Sequence, residues 1–176
     1  MFCRRRNSVM PRFAFYDHLK PARQRIYRAS DAIERIDIGD VTALRILVPA
    51  IELALAAGRR TEVERACQAL VNALNAQLGT PPVRVRVLEK RPSDASGELH
   101  GLYEPEDNGR KARISVWMRT AQKLQVVKFR TFLRTLIHEV CHHLDYEHYK
   151  LEETFHTEGF YKRESALMKK LLGETA

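Results

Sequence analysis

The chain lacks any apolar run long enough to cross a bilayer, which would need about 20 consecutive apolar residues, so no membrane-spanning helix is expected among its 176 residues. Cysteine is scarce. Cys3, Cys67 and Cys141 are odd in number and far apart, and no C-x-x-C pair occurs. That excludes a disulfide framework and a zinc ribbon, and fits a reducing, cytoplasmic setting. The opening Met1-Phe2-Cys3-Arg4-Arg5-Arg6 is basic but is not followed by the apolar core of a secretory signal. No internal repeat and no low-complexity block interrupts the chain.

Acid is nearly absent from the first 28 residues. Arg4, Arg5, Arg6, Arg12, Lys20, Arg23, Arg25 and Arg28 face Asp17 alone, for +7, whereas the remainder of the chain carries +1 of the total +8. The basicity therefore belongs to an N-terminal arm. Such an arm is either a solvated extension or a contact for nucleic acid, with Phe2, Phe13, Phe15 and Tyr16 available to stack on bases.

The spacing of apolar residues predicts a helix over 22–37 (Ile26, Ala29, Ile33, Ile36) and another over 41–57, with Pro49 as its start or kink. A further helix over 61–78 buries Val63, Cys67, Leu70, Val71 and Leu74. Thr61 and Glu64 read as its capping box and Gly79 as its stop. After Pro81-Pro82 the period changes to two. Val83-Arg84-Val85-Arg86-Val87 and Ala112 to Met118 read as strands, with a short strand over 98–103 between them and Asn108-Gly109 as a hairpin turn.

A long amphipathic helix follows. Phe129, Phe132, Leu133, Leu136, Ile137, Val140, Cys141 and Leu144 recur at helical spacing. At about 100° per residue this stripe leaves His138 and His142 on the opposite face. His138-Glu139-x-x-His142 is the H-E-x-x-H pattern of zinc metallopeptidases. Residues four apart share a helix face, so both imidazoles reach one metal, and Glu139 is placed to act as general base. His143 falls beside the buried stripe and reads as a packing residue. Cys141 reads as core.

A catalytic zinc takes three protein ligands and keeps one position open. Downstream candidates are His148, Glu152, Glu153, His156, Glu158 and Glu164. His148 has metzincin spacing, but Asp145 stands where that pattern turns on a glycine, and Glu164 suits a gluzincin. His156 has the better setting, because Thr157 can cap a helix running through Phe160, Leu167, Met168 and Leu171. With His138-Glu139-x-x-His142, the segment His156-Thr157-Glu158-Gly159-Phe160-Tyr161 resembles the third-ligand segment of the SprT-like zinc metallopeptidases. The resemblance covers about residues 61–176.

It implies an α+β, small zincin-like domain: a three-stranded, largely antiparallel sheet on the H-E-x-x-H helix, with residues 1–60 as a basic arm and helical extension and 61–176 as the catalytic domain. It implies Zn2+ held by His138, His142 and His156. It implies a hydrolase that cleaves peptide bonds with a metal-activated water and Glu139 as general base. The strand over 112–118 would pair with an extended peptide substrate. Asp145, Glu153 and Glu164 are candidates to orient a ligand imidazole, and Tyr161 and Arg163 to stabilise developing charge. The competing reading is a zinc-stabilised nucleic-acid- or protein-binding domain without peptidase activity.

Overall fold

The structure is a computed structural model, and it describes residues 13–95 and 97–174. The arm's residues 1–12, including Cys3, Arg4, Arg5, Arg6 and Arg12, lie outside them. After a short 3-10 turn (Ala14–His18) come α1 (Pro21–Asp31), α2 (Val41–Arg45), α3 (Val48–Ala56) and α4 (Arg60–Leu78). Then follow β1 (Arg84–Lys90), the two-residue strands β2 (Ser93–Asp94) and β3 (Gly97–Glu98), β4 (Gly101–Glu104) and β5 (Arg113–Arg119), before α5 (Phe129–Glu147) and α6 (Glu158–Leu172). The class is α+β, as the change of period predicts. Among the described residues no helix is long and apolar enough to cross a membrane.

Local chemistry explains the boundaries. Asp40 caps α2, its Oδ1 accepting from Ala43 N at 3.1 Å. The predicted 41–57 helix is two, because Pro49 sits in the first turn of α3, where its missing N–H costs nothing. Gly79 ends α4 at φ 64. The Asn108-Gly109 turn forms, with φ of 47° and 80°, the positive pair that a tight hairpin requires. The predicted capping box does not form. Arg59 precedes α4 without a side-chain cap, and Glu64 Oε2 instead accepts from Val87 N at 2.9 Å. The predicted 22–37 helix stops at Asp31. Beyond it Ile36 and Ile38 are buried in a segment without regular secondary structure, where the Ile36 carbonyl accepts from Lys170 Nζ at 3.1 Å.

The main sheet has the order β1-β5-β4. Here the expectation of a largely antiparallel sheet is corrected. β4 and β5 are antiparallel, but β1 and β5 are parallel, pairing Val85 with Ile114 and Val87 with Val116. Alternation identifies a strand without naming its partner or direction. A second correction follows: 112–118 is the central strand, with both edges already hydrogen-bonded, so it has no backbone groups to offer a peptide. β4 is the terminal strand on the side of α5.

α4 packs on β1, and α5 on β4 and β5. The back of α5 buries Phe132, Leu133, Leu136, Ile137, Val140 and Leu144. Each such side chain contributes about 1.5–3 kcal/mol when removed from water, which fixes the rotation of the helix about its axis. One hydrophobic cluster joins these residues to Ile36, Leu44, Ile51 and Leu55 on the N-terminal side and to Leu167 and Leu171 of α6.

Candidate metal centre

With its apolar stripe held in the core, α5 turns His138 and His142 outwards. The loop after α5 returns the chain over them, and Thr157 starts α6 by accepting from Phe160 N at 3.0 Å. That cap places His156 one residue before the helix. The three Nε2 atoms converge, at 3.0 Å (His138 to His156), 3.0 Å (His142 to His156) and 3.2 Å (His138 to His142). The three histidines lie close enough to hold one metal ion.

The hydrogen bonds behind two of the rings fix their tautomers. His138 Nδ1 lies 2.8 Å from Glu164 Oε2, a carboxylate that can only accept, so this nitrogen carries a proton and Nε2 is the nitrogen left to face the other rings. Glu164 is itself held by Arg134, whose Nη1 donates to Oε1 at 2.8 Å. His142 Nδ1 lies 2.8 Å from Thr154 Oγ1, and that hydroxyl donates its one hydrogen to Asp145 Oδ2 at 2.6 Å. Thr154 must therefore accept from His142, and in that neutral ring Nε2 is left bare. Bare lone pairs crowded within 3.2 Å repel one another unless a cation lies among them. A tetrahedral zinc with bonds of about 2.0–2.1 Å sets nitrogens about 3.3 Å apart, so the donor set fits such an ion.

Burial reinforces this. His142 is pushed down to about 3 by burial and then by His138 and His156, and His156 is lowered by burial and by His138. Both rings stay neutral, the form that binds metal. Glu139, only 6 % exposed, is pushed up to about 7 by burial, against the opposing pull of His138 and of the Tyr103 backbone N–H.

The space around the cluster has two lobes. One, of about 490 Å³, is lined by His100, Arg134, Thr135, Tyr161 and Glu164. The other, of about 280 Å³, is lined by Leu102, Tyr103, Pro105, Tyr146, Thr154 and His156. Gly101, His138 and Glu139 border both, so the two lobes meet at Glu139 beside β4.

Glu164 and Asp145 face imidazoles of the cluster, Asp145 through Thr154. Glu153 does not; its carboxylate pairs with Arg23 at the surface. His148 ends α5 against Tyr149, outside the cluster. Tyr161 lines the larger lobe, 43 % exposed, and stacks on His156 at 5.9 Å. Arg163 is corrected. It is fully buried and bound to Asp145 Oδ1 at 2.5 Å, behind the histidines, so it cannot meet charge developing in the cleft. His143 is buried, with Nε2 donating to Pro81 O at 3.1 Å and Nδ1 accepting from Tyr103 Oη at 3.3 Å. Cys141 is buried in the core and its thiol is raised by burial.

Sequence reasoning missed Thr154, Arg134 and Gly101. A β-carbon at Gly101 would overlap Glu139 Oε1 and come within 2.8 Å of Glu139 Cγ and Thr135 Cγ2, so only glycine lets β4 pass this close to α5. An isolated glycine at the edge of a strand was the available signal. Thr154 carries none, since its role depends on the loop's path. Comparison of the chain with protein-family models, with curated proteins and with solved structures finds no match.

Proposed function

We propose that the protein is a zinc-dependent metallopeptidase of the SprT-like kind. The observation that carries this reading is the convergence of three Nε2 atoms within 3.2 Å beside a buried glutamate, on a cleft walled by a terminal strand. When bound, the metal acts as a Lewis acid that lowers the pKa of water and polarises a carbonyl. An extended peptide adds to β4 through backbone hydrogen bonds, which give affinity with little sequence preference. Glu139 takes a proton from the attacking water at its carboxylate and returns it to the leaving amine. Glu164 and Thr154 hold the ligand rings in the metal-binding tautomer through both steps. Tyr161 is the candidate for stabilising the developing oxyanion. The basic residues 1–28 are a candidate contact for nucleic acid.

The test is zinc content and peptide hydrolysis of the native chain, Glu139→Gln and His156→Ala. Glu139→Gln is expected to keep zinc and to hydrolyse at least about 100-fold more slowly. His156→Ala is expected to lose zinc. Full hydrolysis by Glu139→Gln would end the enzymatic reading, and would leave metal binding as the surviving function.

A further inference from the structure

The segment joining α5 to α6 carries both Thr154 and His156, and its conformation decides whether two of the three metal-facing rings are in place. The part of that segment next to His156 is held largely by α1. Arg23 Nε donates to Glu153 Oε2 at 2.7 Å, and its guanidinium lies 5.4 Å above the Phe155 ring. Phe155, next to His156, is buried against Tyr27 with ring centres 5.8 Å apart, and Tyr27 against Tyr16 at 5.0 Å. These three aromatics form a small cluster apart from the main core. Asp31 Oδ1 accepts from Gly159 N at 2.9 Å, and the Asp31 backbone is so close that a β-carbon at position 159 would overlap it.

A second line runs deeper. Arg163 Nη1 donates to Ser30 O at 2.9 Å and to Ile33 O at 3.0 Å, at the end of α1 and just beyond it. Its Nη2 donates to Ser30 Oγ at 3.1 Å and to Asp145 Oδ1. Asp145 then accepts from Thr154, and Thr154 from His142. The path from α1 to the metal face of His142 is unbroken. The planar guanidinium serves two carbonyls, a hydroxyl and a carboxylate at once, a geometry that an ammonium cannot copy.

We infer that α1 is a clamp on the metal centre, setting metal affinity by positioning His142 through Arg163, Asp145 and Thr154, and His156 through Glu153 and Phe155. The inference rests on the three histidines binding zinc, as proposed above. Arg23, Asp31 and Arg163 are positioning residues. They never touch the ion, and they act by removing the alternative ring orientations that a bound metal would otherwise have to exclude. Outer partners of this kind change affinity about 10- to 100-fold.

The test uses the full-length chain and two readouts besides activity: the zinc dissociation constant by chelator competition, and the d–d absorption of the cobalt-substituted protein. The variants are Arg23→Ala/Asp31→Ala, which removes polar holds without emptying the core, Arg163→Lys, and Thr154→Val beside Thr154→Ser. Leu55→Ala, a core truncation in α3, controls for lost stability. The expected result is zinc binding weakened at least about tenfold in the α1 double variant and in Thr154→Val, with a shifted cobalt spectrum. Thr154→Ser and the folded fraction of Leu55→Ala should remain at the native constant. Native zinc affinity and cobalt spectrum in the double variant and in Thr154→Val overturn the clamp while leaving the metal site standing. A native chain that binds no zinc overturns both.

Discussion

At the scale of single residues, environment assigns roles that residue type leaves open. Four carboxylates surround the cluster and do different things. Glu139 is buried beside His138 and raised to about 7. Glu164 has both oxygens occupied by Arg134 and His138. Asp145 is sealed behind Thr154, and Glu153 lies at the surface. The raised Glu139 has a consequence for the metal-free protein. Its folded pKa exceeds its unfolded value of 4.5, so the folded state holds the proton more tightly, and the group's contribution to stability falls as pH rises from about 4.5 to about 7. His142 works in the opposite range. Lowered to about 3, it takes up its proton only on unfolding, so stability falls as pH drops below 6.5 towards 3. Denaturation of the metal-free chain at pH 5 and pH 8 should therefore show native stability falling relative to Glu139→Gln by on the order of 3 kcal/mol; parallel curves would contradict the burial argument. Gly101→Ala belongs to the same scale. Its β-carbon displaces Glu139 or β4, so the proposed hydrolysis should drop sharply while the proposed zinc binding is kept. A variant with native turnover would show that β4 does not set the position of Glu139.

Among elements, the two ends of the sheet are treated differently. β1 is a terminal strand, but α4 covers its edge with side chains. Gln68 Oε1 accepts from Val85 N at 2.8 Å and Gln68 Nε2 donates to Val83 O at 2.9 Å. Glu64 takes Val87 N, and Arg60 Nη1 reaches Val87 O at 3.0 Å. An uncovered edge invites pairing with another chain, so this cover leaves β4, at the cleft, as the end of the sheet suited to an added strand. Gln68→Ala leaves two backbone groups without protein partners, and a loss of about 1–3 kcal/mol is expected in chemical denaturation, with increased self-association by light scattering. An unchanged midpoint and a monomeric profile would show that water replaces the side chain at no cost. Element boundaries were legible where the signal was local, as at Pro49, Gly79 and Asn108-Gly109. They were misread where a distant group intervened. The Glu64 side chain turns from its own helix to β1, and the segment after Asp31 is not helical, with the Ile33 and Ile36 carbonyls taken up by side chains of α6.

For the whole molecule, a metal held by the three histidines, as proposed above, would be a part of the folding free energy. Saturating zinc at about 100 times its dissociation constant adds about 2.7 kcal/mol, which raises Tm by about 5–10 °C in a chain of this size. Chelation should reverse that shift, and a Tm insensitive to both zinc and chelator would remove the metal site from the account. The sequence by itself determined the extent of α5 and the face on which it carries His138 and His142. Four-residue spacing and a continuous apolar stripe are local properties that survive whatever the rest of the chain does, and so His138, Glu139 and His142 could be read directly. His156 was legible through Thr157, whose capping preference is also local. Tertiary structure alone decided the parallel pairing of β1 with β5, the choice of β4 over β5 at the cleft, the burial of Arg163 away from it, and the path from α1 through Thr154 to His142. Each of these depends on which segments meet in space. Strand alternation, charge and hydroxyl groups specify what a residue can pair with, and only the packed core determines which partner arrives.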